Sequence, residues 1–211
     1  MSSFYNKLIP FIEGKTVLDA GSIGHSYKGR TAFKTWNFAV LAQYAASIKG
    51  FDILEKEIEI ARLDGHDIVF GNAETFVTPE KYQVVFAGDL IEHLSNPGLF
   101  IRCSHENLVE GGQLIVATPN TYSLAKLVRV VARATNEPPC NPEHTFYFTP
   151  QTLEQLVCRH GFRLRQIIYS DMQYAQGHGS RSKRIKLFIN SKISSMIPRF
   201  SQAMIAVFDR N

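Results

Sequence analysis

Apolar residues recur along the chain in short blocks, and stretches with helical spacing separate them. The run Lys15-Thr-Val-Leu-Asp-Ala-Gly21 is apolar and meets a glycine, as a buried parallel strand does where it enters a loop. Further strands are expected at Ile48 to Phe51 (ending at Asp52), His66 to Phe70, Tyr82 to Ala87 and Gln113 to Ala117. Helices are expected from Phe4 to Ile12, closed by Gly14, and from Thr35 to Ser47, where Phe38, Leu41, Tyr44 and Ala45 share a face. Two more fall at Glu55 to Leu63 and Pro97 to Leu108, whereas Ser22 to Arg30 reads as a polar loop. This alternation predicts an α/β fold: a doubly wound, mostly parallel sheet with helices on both faces. Right-handed crossovers would bring every strand's carboxyl end to one edge, where ligands bind.

After Pro119 the rhythm changes. Ser123 to Ala134 has the spacing of a basic amphipathic helix, a helical insert after strand five. Asn136 to Pro142 is a loop with three prolines. Thr149 to His160 is a helix with Thr149 as N-cap and Pro150 in its first turn. Phe162 to Tyr169 and Ala203 to Phe208 read as two final strands, separated by a Gly177 to Lys183 linker and a basic-apolar segment, Ile185 to Ile197. The whole fits one domain, residues 1–211: a ligand-binding core at 14–118, with acceptor-side insert and lid segments at 119–148 and 177–199.

Composition narrows the class. The chain has 211 residues, 45% hydrophobic and 20% charged, ordinary values for a globular domain with a substantial core. A net charge of +4 hints only weakly at an anionic partner. Three cysteines (Cys103, Cys140, Cys158) without short paired spacing argue against a disulfide framework or zinc knuckle and point to a reducing cytoplasmic setting. Met1 to Pro10 lacks a signal-peptide layout, and no apolar run approaches the ~18 residues of a membrane span.

Candidate chemistry lies at successive strand ends. Val17-Leu-Asp19-Ala-Gly21-Ser-Ile-Gly24 delivers an acid and then a turn-forming glycine. The middle glycine of a dinucleotide fingerprint is replaced by Ile23, and Asp19 suits a cationic ligand better than a pyrophosphate. Asp52 ends strand two, where a carboxylate accepts both ribose hydroxyls. Asn72-Ala73-Glu74 follows strand three, where an amide side chain is placed to read adenine, and Asp89-Leu90 follows strand four. Each feature alone is ordinary; four in order are not.

These motifs resemble those of the class I, seven-stranded S-adenosylmethionine-dependent methyltransferases from about Lys15 to Phe162. Val85-Phe-Ala-Gly-Asp89-Leu-Ile-Glu-His93 looks like the family's fourth motif, and Leu108-Val-Glu-Gly-Gly112-Gln-Leu-Ile-Val116 like its turn into strand five. The departures are Ile23, where glycine is usual, and Asn72, where aspartate is commoner. The resemblance implies S-adenosylmethionine as cofactor, bound by Asp19, Ala20, Gly21, Ser22, Gly24, Asp52, Ile53, Asn72, Ala73, Glu74, Asp89 and Leu90.

Methyl transfer from a sulfonium needs alignment of the acceptor and removal of its proton, for which His93, Glu92, His25 and His144 are candidates. Asp89, Glu92 and His93 share one face of a helical turn. With His144, they are similar to the acid-x-x-Glu-His pattern of ubiquinone-biosynthesis O-methyltransferases, the closer in motif style, and of small-RNA 2′-O-methyltransferases. That similarity implies a magnesium or manganese site on Asp89, Glu92, His93 and His144, although Asp89 is one methylene shorter than the glutamate of those groups. The alternative is a metal-free site in which Glu92 is a helix-end acid and His93 a packing or substrate contact.

The expected activity is methyl transfer to a small or amphipathic acceptor, at oxygen. RNA as acceptor and a non-catalytic, cofactor-binding partner subunit are the alternatives; a nicotinamide enzyme is disfavoured by Ile23. Leu124, Leu127, Val128 and Val131 share one helix face, with Lys126, Arg129 and Arg133 largely on others. The readings are a lid, a peripheral membrane contact, or an ordinary surface helix with its basic face in water.

Overall fold

The computed structural model describes residues 3–32, 36–133, 141–170 and 196–211. One seven-stranded sheet runs through it in the order β3-β2-β1-β4-β5-β7-β6. The strands are β1 (Thr16–Ala20), β2 (Ser47–Asp52), β3 (Ile68–Phe70), β4 (Tyr82–Gly88), β5 (Leu108–Pro119), β6 (Phe162–Ser170) and β7 (Ala203–Arg210). The first five pair in parallel, and β7 inserts antiparallel between β5 and β6. The expected mostly parallel, doubly wound sheet is therefore present.

Central strands are buried on both faces, which is why they read as continuous apolar runs. Val17, Val84, Phe86, Ile115 and Val207 pack on one face with Tyr5, Leu8 and Leu41. Leu18, Val85, Leu114, Val116 and Phe208 pack on the other with Phe100, Ile101 and Leu153. Helices α1 (Ser3–Leu8), α2 (Tyr27–Ala32), α3 (Asn37–Leu41), α4 (Glu55–Leu63), α5 (Pro97–Asn107), α6 (Leu124–Arg133) and α7 (Pro150–Cys158) complete the fold. Thr149 caps α7 as expected: its side chain accepts from Thr152 N–H while the Thr152 hydroxyl accepts from Thr149 N–H.

Several boundaries differ from the sequence reading. The first helix tightens into a 3-10 turn at Ile9–Phe11, where Pro10 lacks the N–H that an α-helix needs. Ser22 to Arg30 is not all loop. Its second half begins α2, held by tertiary bonds: Tyr27 N–H donates to Glu57 on α4 (2.8 Å) and the Tyr27 hydroxyl to Asp64 (2.7 Å). The helix expected over Thr35 to Ser47 shrinks to α3, because the chain must turn and enter β2 at Ser47 beside Thr16. Leu108 belongs to β5 instead of α5, and β3 is confined to three residues. Cys140, the Gly177 to Lys183 linker and most of the Ile185 to Ile197 segment lie outside the described residues. Among the described residues, no helix is long and apolar enough to cross a membrane.

Candidate active site

Parallel pairing aligns the carboxyl ends of β1, β2, β3 and β4, and a cavity of about 400 Å³ opens there. Its volume falls within the range of small-molecule sites. Gly21, Gly24, Asp52, Ile53, Asn72, Ala73, Asp89 and Leu90, all expected to bind the cofactor, line it. A narrow crevice shares Gly21 and Gly24 with this cavity and adds Asp19 and Ser22. Two other residues expected to bind the cofactor, Ala20 and Glu74, line neither space. Ala20 is fully buried in the core, since the β-strand alternation turns it away from the cleft. The Glu74 carboxylate accepts the N–H groups of Ser95 and Asn96, both at 2.8 Å, and so caps the start of α5.

Gly21 makes the tight turn in the left-handed region at φ +69°, and a Cβ there would lie 2.9 Å from Leu90 Cδ1. A larger residue would be strained at this φ and would have to push the Leu90 side chain aside. Ile23, the departure from the family pattern, is fully buried in a cluster with Trp36, Phe38 and Ile58. Its backbone N–H donates to Asp52 Oδ2 at 2.9 Å, with Gly24 N–H at 3.3 Å. The other oxygen, Oδ1, accepts from Ile53 N–H (2.7 Å) and Leu54 N–H (3.2 Å). Asp52 thus orders the loops after β1 and β2. Beside it Ile53 is 61% exposed, an apolar face turned to the cavity. Asn72 Oδ1 accepts from Glu74 N–H (2.9 Å), which fixes its amide at the cavity wall.

After β4 the chain forms a 3-10 turn, Ile91–His93. Asp89 precedes it at φ +52°, the left-handed region that Asp tolerates better than bulkier residues do. Glu92 is only 2% exposed; Oε2 accepts from the Thr118 hydroxyl at 2.9 Å, while Oε1 has no hydrogen-bond partner among the described residues. Burial first, then the nearby Asp89, raises its carboxyl well above the ordinary carboxylate range.

The Glu92 carbonyl also accepts from Thr145 N–H (2.8 Å), the Thr145 hydroxyl (3.0 Å) and Phe146 N–H (3.3 Å). This staple brings His144 to His93, with ring centroids 4.6 Å apart and edge to face. Burial, and then His93, lowers the His144 pKa, which favours neutral imidazole. One ligand atom each from Glu92, His93 and His144 lies within 4.8 Å of the others. Asp89 is not in that group; it lines the cavity instead. His25 stands 5.9 Å from His93 by ring centroids and pairs with Glu143 at 3.4 Å, and both line the cavity. Sequence reasoning did not single out Glu143 or Asn37, a crevice residue, because only tertiary contacts bring them here.

Comparison with known proteins agrees with this fold. Residues 1–167 match the methyltransferase-domain family model. The ubiquinone biosynthesis O-methyltransferase of Pseudomonas paraeruginosa is 30% identical over 130 residues, covering 57% of this chain and 51% of that protein. The human mitochondrial protein of that name is 27% identical over 124 residues, 57% of this chain and 32% of its own length. The chain therefore spans about half, or less, of these relatives. An S-adenosylmethionine-dependent methyltransferase structure from Archaeoglobus fulgidus superposes with a TM-score of 0.66 at 17% identity, covering 99% of this chain and 92% of that one. With its strand order, its ligand cleft and a family match across most of its length, the chain belongs to the methyltransferase-domain family, as a class I S-adenosylmethionine-dependent methyltransferase domain.

Proposed function

We propose that the chain methylates a hydroxyl oxygen of a small, amphipathic acceptor. The observation that carries this reading is the Glu92, His93 and His144 cluster at the cavity edge, two imidazoles beside a buried carboxyl. S-adenosylmethionine supplies a methyl group activated on a sulfonium, so the residues around it need only align the acceptor and take its proton. His93 lines the cavity and is the candidate base, with His144 packed against it to hold the ring. Asp52 and Ile53 line the cavity and would meet the ribose and adenine, and Asp19 lines the crevice and would meet the ammonium of the amino-acid tail. The relatives named as O-methyltransferases support oxygen as the acceptor atom.

The cluster also fits a divalent cation. Glu92 Oε1 lacks a hydrogen-bond partner among the described residues, and one carboxylate oxygen of Glu92 lies within 4.8 Å of a ring nitrogen of both His93 and His144. A set of two nitrogens and one oxygen suits manganese better than magnesium, which prefers oxygen ligands. Glu92, His93 and His144 would hold the ion, which would lower the pKa of the acceptor hydroxyl and replace His93 as the group that activates it.

Beside the site, α6 exposes Leu127, Val128 and Val131, and Phe146 and Tyr147 are each 37% exposed. Together with Lys126, whose ammonium lies 5.6 Å from the Tyr147 ring centre, they offer the apolar and cationic surface that an amphipathic acceptor or an anionic membrane surface would meet.

The test is methyl transfer from isotope-labelled cofactor to a panel of amphipathic phenols and catechols, before and after chelation with EDTA and manganese add-back. Label on oxygen, lost with EDTA and restored by manganese, is expected. Transfer unchanged by chelation removes the metal, and label on nitrogen or carbon alone removes the oxygen assignment.

A further inference from the structure

The cofactor's amino-acid tail is a zwitterion and needs N–H donors for its carboxylate as well as an acid for its ammonium. The crevice beside the main cavity supplies the acid, Asp19, at the end of β1. No lysine or arginine is among the described residues that line it. Two of those residues carry nitrogen donors on their side chains, Trp36 and Asn37. The indole N–H of Trp36 is engaged, donating to the Ser22 carbonyl at 2.5 Å. Asn37 is placed differently. Its Oδ1 accepts the hydroxyl of Tyr5, from α1, at 2.8 Å. That bond turns the NH2 end of the amide toward the carboxyl end of β4, so that a Cβ added at Gly88 would lie 2.7 Å from Asn37 Nδ2.

We infer that Asn37 binds the carboxylate of the cofactor's amino-acid tail, and that Tyr5 is the positioning residue that holds the amide with its donors facing the crevice. An asparagine amide can present either face, and a carboxylate is bound only by the NH2 face. Tyr5 is buried, and its hydroxyl selects that face by donating to the oxygen. Gly88 matters for the same reason, because any side chain there would displace the amide. The N-terminal helix α1 thereby becomes part of the cofactor site without touching the cofactor.

This inference rests on the cofactor assignment, and the two fail differently. The test is calorimetry with S-adenosylhomocysteine and with 5′-methylthioadenosine, which keeps the nucleoside and thioether but lacks the amino-acid tail. Asn37→Ala should weaken adenosylhomocysteine binding by about tenfold or more, the worth of a hydrogen bond to a charged group, and leave methylthioadenosine binding unchanged. Asn37→Asp should weaken the former further by charge repulsion. Tyr5→Phe should lower it severalfold, again with methylthioadenosine unchanged. Retained methylthioadenosine affinity shows that each variant is folded. Unchanged adenosylhomocysteine affinity in Asn37→Ala, or an equal loss for both ligands, overturns the assignment. A wild-type chain that binds neither ligand overturns the cofactor reading beneath it.

Discussion

The Asp52 carboxylate accepts the backbone N–H of Ile23 at 2.9 Å, joining the end of β2 to the loop that leaves β1. Ile23 stands where the family's first motif usually has glycine, and its side chain is fully buried. The bond and the buried side chain hold one loop in place, from the backbone and from the core. An acid expected to bind ribose is therefore also the organiser of the loop that follows β1.

Asp52→Asn should expose this double role. It keeps the shape but turns an NH2 toward backbone N–H groups that need an acceptor. Stability should fall by roughly 1–3 kcal/mol, the cost of buried polar groups left unpaired. Affinity for adenosylhomocysteine should fall by about tenfold or more. Urea denaturation and calorimetry read the two effects; a variant that loses affinity with an unchanged denaturation midpoint would show that Asp52 does not hold the loop.

Ile23→Ala separates the core anchor from the hydrogen bond, since the backbone N–H remains. Removing a fully buried isoleucine side chain should cost about 2–4 kcal/mol. If the stability change is below about 1 kcal/mol, the side chain is not the anchor.

Glu92 trades stability for chemistry. Its folded-state pKa is raised by burial and Asp89, so between the ordinary carboxylate value and that raised value the folded chain holds a proton that the unfolded chain has lost. Stability therefore falls as pH rises through this window. Without added metal, Glu92→Gln should be more stable than the parent at pH 7 by roughly 1–3 kcal/mol and show little difference at pH 4. Thermal melts at the two pH values check the sign, and methyl transfer should be lost in the same variant. A less stable variant at pH 7 would mean that the charge is compensated in the fold.

His105 sets a limit on the acid side. Burial, and then the neighbouring Arg210, lowers its pKa, and its Nε2 accepts from Arg210 Nε at 3.3 Å. The unfolded chain then binds a proton that the folded chain resists. Stability should fall as pH drops below about 6.5 toward the lower folded-state value. His105→Gln should flatten that part of the profile in denaturant titrations from pH 7 to pH 5; an unchanged slope would assign the acid sensitivity to other groups.

The sheet was legible because its central strands are buried on both faces and so appear as unbroken apolar runs: Val17-Leu18, Val84 to Ala87 and Leu114 to Ala117. The cleft followed from strand direction, which lines up Gly21, Asp52, Asn72 and Asp89 whatever the loops do. What escaped the sequence depends on contacts between distant residues. The start of α2 was hidden because Tyr27 is held by Glu57 and Asp64 rather than by local propensity. Glu74 looked like an adenine contact, yet its partners are N–H groups 21 and 22 residues ahead. Asn37 gave no signal at all, since it acquires meaning only between Tyr5 and Gly88. His144, by contrast, was singled out from its neighbours in sequence, and the Thr145 staple to Glu92 explains why it arrives beside His93.

The most direct test of the cofactor cleft is calorimetric titration of the wild-type chain with S-adenosylhomocysteine and, separately, NAD, repeated with Asp52→Ala. One-to-one binding of adenosylhomocysteine, severely weakened in the variant, with no binding of NAD, is the predicted result. Binding of NAD in preference, or adenosylhomocysteine affinity untouched by the loss of Asp52, would contradict it.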